Sequence, residues 1–177
     1  MNNKIKRIKD GNKNGYCEET SEDGSITKAY YIDGNPYGLV ETFYPNGKLK
    51  YKFYALEGRI DKFCLIYYEN GKLWKNWNLK NGKFHGQYKT FFENGQLESS
   101  KVFKDDKAHG LSTEYYENGV LKSKTRWNNG KIDDLNEQYY ENGQLEFSVS
   151  IKKNKKVRTV EHYEENGTVI KFETYKN

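Results

Sequence analysis

Apolar and polar positions alternate along most of the chain in short runs, and polar breaks cut the runs at fixed intervals. In "CLIYYENGKLWKNWNLK" (Cys64 to Lys80), Cys64 and Tyr68 share one parity before the break, and Leu73, Trp77 and Leu79 share one after it. A period of two over runs this short predicts strands, not helices. The break is Glu-Asn-Gly, and its Asn-Gly pair recurs at Asn46-Gly47, Asn70-Gly71, Asn94-Gly95, Asn118-Gly119, Asn142-Gly143 and Asn166-Gly167, a step of 24 residues each time. Asp23-Gly24 extends the series with one residue deleted. A fixed period in this range marks a repeat architecture.

Glycine usage follows the same period. Of 16 glycines, seven are the turn residues at 24, 47, 71, 95, 119, 143 and 167. Five occupy a second repeat position (Gly11, Gly34, Gly58, Gly82, Gly130), and four a third (Gly15, Gly38, Gly86, Gly110). A backbone that reverses or takes positive φ at the same places in every unit accounts for this placement. Asn-Gly between β-forming runs predicts a two-residue type I′ hairpin turn. That turn sets Tyr68 opposite Leu73 and Tyr67 opposite Trp74. The second glycine pair, as in "NGKFHG" (Asn81 to Gly86), is expected to make a wider return turn, altered where Lys62, Asp134 and Arg158 replace its last glycine.

The alternation then separates two faces. A packing face carries the pairs Tyr44–Leu49, Tyr68–Leu73, Phe92–Leu97, Tyr116–Leu121 and Tyr140–Leu145. It continues through Val40, Phe53, Cys64, Trp77, Tyr88 and Val149 to Leu79, Phe103, Trp127, Ile151 and Tyr175. A ladder face carries Phe43, Tyr67, Phe91, Tyr115, Tyr139 and Tyr163 among lysines and glutamates. Cross-strand aromatic and aliphatic pairs contribute about 0.2–1 kcal/mol each, so sheet packing alone explains most of these rings. The ladder face remains for a partner, with Tyr67, Trp74, Phe91, Tyr115 and Tyr139 as candidate contacts.

The expected fold class is all-β: tandem antiparallel hairpins of 24 residues in an elongated, twisted single-sheet solenoid. One array spans residues 1–177 in about seven units, with 1–30 and 152–177 as degenerate capping units. Strands spaced ~4.8 Å would make it on the order of 65 Å long. A closed barrel would require the first and last hairpins to pair. Composition agrees with one extended sheet, since only 34% of residues are hydrophobic while 16% are aromatic.

The net charge of +5 is concentrated in residues 4–13 and in "KKNKKVR" (152–158), where solvated lysines are the default. Lys and Glu interleave elsewhere, so no basic stripe for nucleic acid forms. The two runs motivate a weaker alternative, contact with a membrane or cell surface. Cys17 and Cys64 are two units apart, roughly 19 Å at the usual strand spacing, too far for a disulfide. His85 and His109 share one repeat position about 10 Å apart, too far for one metal. No nucleophile set, phosphate loop or metal cluster stands out, so neither catalysis nor a cofactor is expected. "MNNKIKRIKDG" lacks the apolar segment of a signal peptide, which points to the cytoplasm; a leader removed upstream would instead make a secreted form.

"YYENGQLE", "NGKFHG" and "YYENGVLKSKTRW" resemble the MORN-variant repeat, and the resemblance covers essentially the whole chain. In bacteria, long arrays of this variant are named as a YwqK-type antitoxin family of toxin–antitoxin systems. The resemblance implies a non-enzymatic binding protein that neutralises a toxin by contact. A self-associating rod or homodimer is the structural alternative.

Overall fold

The computed structural model describes residues 13–152 and 157–176. The basic segment 4–12 and most of "KKNKKVR" therefore lie outside the described residues. Every regular element among the described residues is a strand, and the chain packs as two units. One runs to Phe84 and takes in Glu93–Gly95; the other holds His85–Phe92 and everything from Gln96 on. The first contains β1 (Gly15–Thr20), β2 (Ile26–Ile32), β3 (Asn35–Phe43), β4 (Leu49–Leu56), β5 (Arg59–Tyr67) and β6 (Leu73–Lys80). The second contains β7 (Lys83–Phe91, counted from His85), β8 (Leu97–Lys104), β9 (Lys107–Ala108) and β10 (Gly110–Tyr115). It continues with β11 (Leu121–Asn128), β12 (Lys131–Tyr139), β13 (Leu145–Lys152), β14 (Val157–Tyr163) and β15 (Val169–Lys176). Within each unit the strands pair antiparallel in chain order as one open layer. β9 and β10 both pair with β8 and are halves of one strand interrupted at His109. The all-β hairpin fold is thus as the 24-residue period predicts.

The two turn types are exchanged relative to the sequence expectation. At Glu69-Asn70-Gly71, Tyr68 N–H donates to the Lys72 carbonyl and Gly71 N–H to the Tyr68 carbonyl, both at 2.8 Å. Gly71 has φ 90°, whereas Asn70 keeps an ordinary negative φ. This is the three-residue loop, a type I turn closed by a left-handed glycine. Two-residue turns with positive φ at both residues, the type I′ pattern, lie instead at the other ends of the strand pairs, as at Glu57-Gly58 and Asn81-Gly82. There Asn81 and Gly82 take φ 54° and 72°, and Glu57 and Gly58 take 50° and 73°. The Asn70 side chain explains the choice. Its Oδ1 accepts the Lys72 backbone N–H at 2.8 Å, an Asx turn that is complete without positive φ at Asn.

One extra loop residue moves every register prediction near the turn. Tyr67, not Tyr68, pairs with Leu73, and the shift is absorbed at once because Ile66 pairs with Lys75. Trp74 is the bulged residue, and it stacks on Tyr68 with ring centroids 5.4 Å apart. The pairs Phe43–Leu49, Phe91–Leu97, Tyr115–Leu121 and Tyr139–Leu145 repeat the correction. The leucines therefore belong to the ladder face, while Tyr44, Tyr68, Tyr116 and Tyr140 stay on the packing face.

The third glycine position is a bulge inside a strand rather than part of a turn. Opposite β2 the register slips by two residues, at Gly38 (φ 83°) and Leu39. β5 makes the same slip at Lys62 and Phe63, with Lys62 itself at φ 66°. Lys62 Nζ lies 3.8 Å from the Tyr54 ring centroid, a cation–π contact worth about 0.5–1 kcal/mol at an exposed site. That contact offsets part of the strain that glycine avoids at Gly38. At Arg158 the slip is absent, and β13 and β14 run in unbroken register.

The core is one side chain deep. Ala29 and Ala55 are almost fully buried, Val40 is 4% exposed, and Tyr31 and Phe53 lie against them. Cys17 and Cys64 are buried free thiols in the same layer, and burial pushes the Cys64 thiol up to about 11. Small residues dominate because a single sheet has no second layer to enclose a large one.

Much of the cohesion instead runs turn to turn. Asn46 Nδ2 donates to the Glu69 carbonyl and Asn70 Nδ2 to the Glu93 carbonyl, both at 3.1 Å. Asn142 does the same to Glu165 at 3.0 Å. The Tyr44 hydroxyl donates to the Tyr67 carbonyl at 2.8 Å, Tyr116 to Tyr139 at 2.8 Å, and Tyr140 to Tyr163 at 2.9 Å. Lys48 and Lys72 reach the carbonyls of Asn70 and Asn94 at 2.9 and 2.7 Å. Lys72 is thus engaged by the next turn.

Two stability effects follow. Gly95 has φ 91°, and a Cβ there would sit 3.2 Å from Lys72 Cδ. Gly95→Val is expected to cost about 2–3 kcal/mol, since a β-branched residue resists the left-handed region. Urea denaturation showing an unchanged midpoint would rule out this turn geometry. Asn70→Asp keeps the acceptor for Lys72 N–H but loses the donor to Glu93, an expected cost of about 1–2 kcal/mol. Part of it should return, relative to wild type at the same pH, below about pH 4, where the carboxyl regains a proton to donate. An equal deficit at pH 7 and pH 3 would contradict the donor role.

Candidate functional site

The ladder face carries the first candidate surface. In the first unit its central row runs Glu18–Lys28–Glu41–Lys52 across paired strands. Lys28 lies 3.4 Å from Glu18 and Lys52 lies 2.8 Å from Glu41. Exposed pairs of this kind contribute at most about 1 kcal/mol; they leave the face polar and nearly neutral. Beside them Tyr16 pairs with Tyr30 and Tyr30 with Tyr37, a continuous row of three rings. These rings are 44, 50 and 41% exposed, and Leu39 beside them is 43% exposed.

Parity alone places Tyr37 on the ladder face with Glu41, but regular pairing would set Leu39 opposite Tyr30. The two-residue slip at Gly38–Leu39 brings Tyr37 opposite Tyr30 instead, which makes the row continuous. A glycine within an apolar run is the signal that could have found it.

The predicted contact residues divide differently. Tyr67 lies on the ladder face of the first unit, paired with Leu73, whereas Trp74 lies with Tyr68 on the other face. In the second unit Phe91, Tyr115 and Tyr139 each pair with a leucine on the ladder face. All of these except Trp74 are half-buried. The Tyr139 hydroxyl donates to Glu137 at 2.6 Å, and Lys124 bridges the same carboxylate at 2.8 Å. Burial and that carboxylate push the Tyr139 phenol up to about 12, so it stays protonated as a donor.

The packing face of the second unit holds a different feature, an open cleft of about 300 Å³. Its floor comes from β10, β11 and β12 through Glu114, Ser123, Thr125, Asn136 and Gln138. Tyr116, Lys122 and Glu146 line its side toward the turns, where the Tyr116 hydroxyl donates to the Tyr139 carbonyl. Lys101 bridges Glu114 at 2.9 Å, and this contact with the Lys101 ammonium holds the Glu114 carboxyl below the usual range despite partial burial. Thr125 Oγ1 donates to Asn136 Oδ1 at 3.0 Å, which leaves the Asn136 amide protons pointing away from that bond. Lys122 Nζ stands 5.5 Å over the Tyr116 ring. Among the described residues no group of three or more His, Cys, Asp or Glu side chains could hold a metal ion. His85 contacts Asp105 at 3.2 Å beside its turn, and His162 lies against Phe147.

The MORN repeat variant family matches residues 36–54, 64–81, 84–105, 108–132 and 135–153, together more than half of the chain. No curated protein matches the chain. Each matched segment contains one three-residue Asn-Gly loop and at least the turn-proximal part of each strand that flanks it. MORN repeats are protein- or membrane-binding repeats, and proteins built from them are typically non-enzymatic scaffolds. With the period, the hairpins and five matched segments in agreement, the chain belongs to the MORN repeat variant family.

Proposed function

We propose that this protein is a non-enzymatic protein-binding scaffold of the antitoxin or immunity type, which neutralises a toxin by direct contact through the ladder face. The observation that carries the reading is the row Tyr16–Tyr30–Tyr37, with its rings 41–50% exposed beside a nearly neutral row of ion pairs. Tyrosines supply large contact area at low entropic cost and are enriched where interfaces bind most strongly. The hairpins behind them hold the rings at fixed strand spacing, so little ordering is needed on binding. Tyr67, Phe91, Tyr115 and Tyr139 extend the same chemistry at half-buried positions.

The test uses the full chain as bait. Wild type, Tyr30→Ala and a Tyr115→Ala, Tyr139→Ala double variant are first shown to be folded and then compared in pull-down and titration of the recovered partner. Tyr30→Ala is expected to weaken binding by at least about fivefold, or more than 1 kcal/mol, with little change in melting temperature. The recovered protein is expected to arrest growth when expressed alone and to lose that effect on co-expression. Equal recovery by all three baits, or binding to anionic vesicles at low salt in place of any protein, would overturn the reading.

A further inference from the structure

The central row of the packing face breaks its own rule in one place. At successive repeats one position reads Val40, Cys64, Tyr88, Ser112, Asn136, Val160, and its cross-strand neighbour reads Phe53, Trp77, Lys101, Thr125, Val149. The register confirms that these residues share a face. Val40 pairs with Phe53, Phe53 with Cys64 and Cys64 with Trp77 in the first unit. Ser112 pairs with Thr125, Thr125 with Asn136, Asn136 with Val149 and Val149 with Val160 in the second. The adjoining row is polar in several repeats, at Thr42, Lys75, Thr90 and Ser99 as well as at Glu114, Ser123 and Gln138. It is the central row that turns from apolar to polar, and the cleft lies at that change.

The polar substitutions carry a cost. Side-chain polar groups on a packing face lose hydration and need partners. Ser112 Oγ is buried without a hydrogen-bond partner among the described residues. A run of choices against the local pattern marks a functional place rather than a packing solution.

We infer that this cleft is a binding site for a neutral sugar. The lining offers amide donors and acceptors at Asn136 and Gln138, carboxylate acceptors at Glu114 and Glu146, and an ammonium donor at Lys122. A sugar hydroxyl both donates and accepts, so a ring with several of them can satisfy this mixture. An anion would face two carboxylates in the lining. An apolar guest would leave the amides unpaired. A strand would add at a sheet edge, whereas the cleft opens on a face. Its volume is at the small end of ligand sites, which suits one or two sugar rings. Within the second unit this site is on the face opposite the Phe91, Tyr115 and Tyr139 rings, and it goes beyond the proposed protein contact.

The experiment is an amide chemical-shift titration of the full chain with D-glucose, D-galactose and N-acetyl-D-glucosamine, each to about 20 mM, with inorganic phosphate as a separate arm. At least one sugar is expected to shift amides in β10, β11 and β12, with a dissociation constant on the order of 1 mM or tighter. The Thr125→Val, Asn136→Val double variant inserts the residue that the repeat carries at Val149 and Val160, so its melting temperature should hold or rise. The same variant should weaken the sugar at least tenfold while leaving partner recovery unchanged. No shift with any of the three sugars, shifts retained in the folded variant, or stronger shifts of the same amides by phosphate would overturn the assignment.

Discussion

The side-chain amide of asparagine in the three-residue turn is the constraint on which the rest depends. One end of Asn70 closes its own loop through the Lys72 N–H; the other end donates to the Glu93 carbonyl of the following turn. Aspartate could do the first and, when ionised, not the second. The degenerate first hairpin shows the difference. There Asp23 accepts Ser25 N–H, and its remaining oxygen takes the Lys50 ammonium at 2.8 Å. That contact holds its carboxyl down at about 2. A charge pair from a neighbouring hairpin replaces an amide bond.

Turn-to-turn bonding matters more here than in a layered domain because burial is so limited. The interior consists of alanine, valine and cysteine beneath half-buried aromatics. Each interhairpin hydrogen bond contributes about 1 kcal/mol net, comparable to a cross-strand aromatic pair. The tyrosine hydroxyl that reaches the next hairpin's carbonyl combines both terms in one residue. That explains why the second aromatic before the turn is so often tyrosine: its ring covers the packing face and its hydroxyl satisfies a backbone acceptor. Such an array is stabilised by nearest-neighbour terms, so each hairpin depends on the one beside it.

The fold was legible because a 24-residue period in Asn-Gly leaves few architectures, and alternation of period two leaves no helix. The details that failed share one cause. Asn-Gly alone does not say whether the loop has two residues or three, and one residue exchanges which aromatic stands beside the leucine. Tyr67 and Trp74 were therefore expected together and lie apart, while Tyr68 and Trp74 stack. The slip at Gly38 keeps the face but changes the partner, setting Tyr37 rather than Leu39 opposite Tyr30. Glycine at the third position was visible; its meaning as a bulge was not, because a positive φ serves a turn and a bulge equally. Lys62, which takes the same conformation without being glycine, shows that the bulge does not require glycine.

A repeat supplies its own internal comparison, and here that comparison separates structure from use. Where the six 24-residue units agree, as at the turn asparagine, the residue answers a need of the sheet. Where units differ without disturbing the hairpin, the sheet is indifferent and another demand can act. The packing-face positions at Val40 and Val160 tolerate Ser112 and Asn136 in the same register, with the strands on either side still paired. The backbone therefore does not require polarity there, and the hydrogen bond from Thr125 to Asn136 shows that the polar side chains are organised rather than merely tolerated. The ladder face shows the converse. Its ion pairs change sign from strand to strand and its first aromatic persists, so variation falls on exposure instead: open rings at Tyr16, Tyr30, Tyr37 and Phe172, half-buried ones at Tyr67, Phe91, Tyr115 and Tyr139. Period fixes the scaffold, and departures from period are where this chain can acquire specificity.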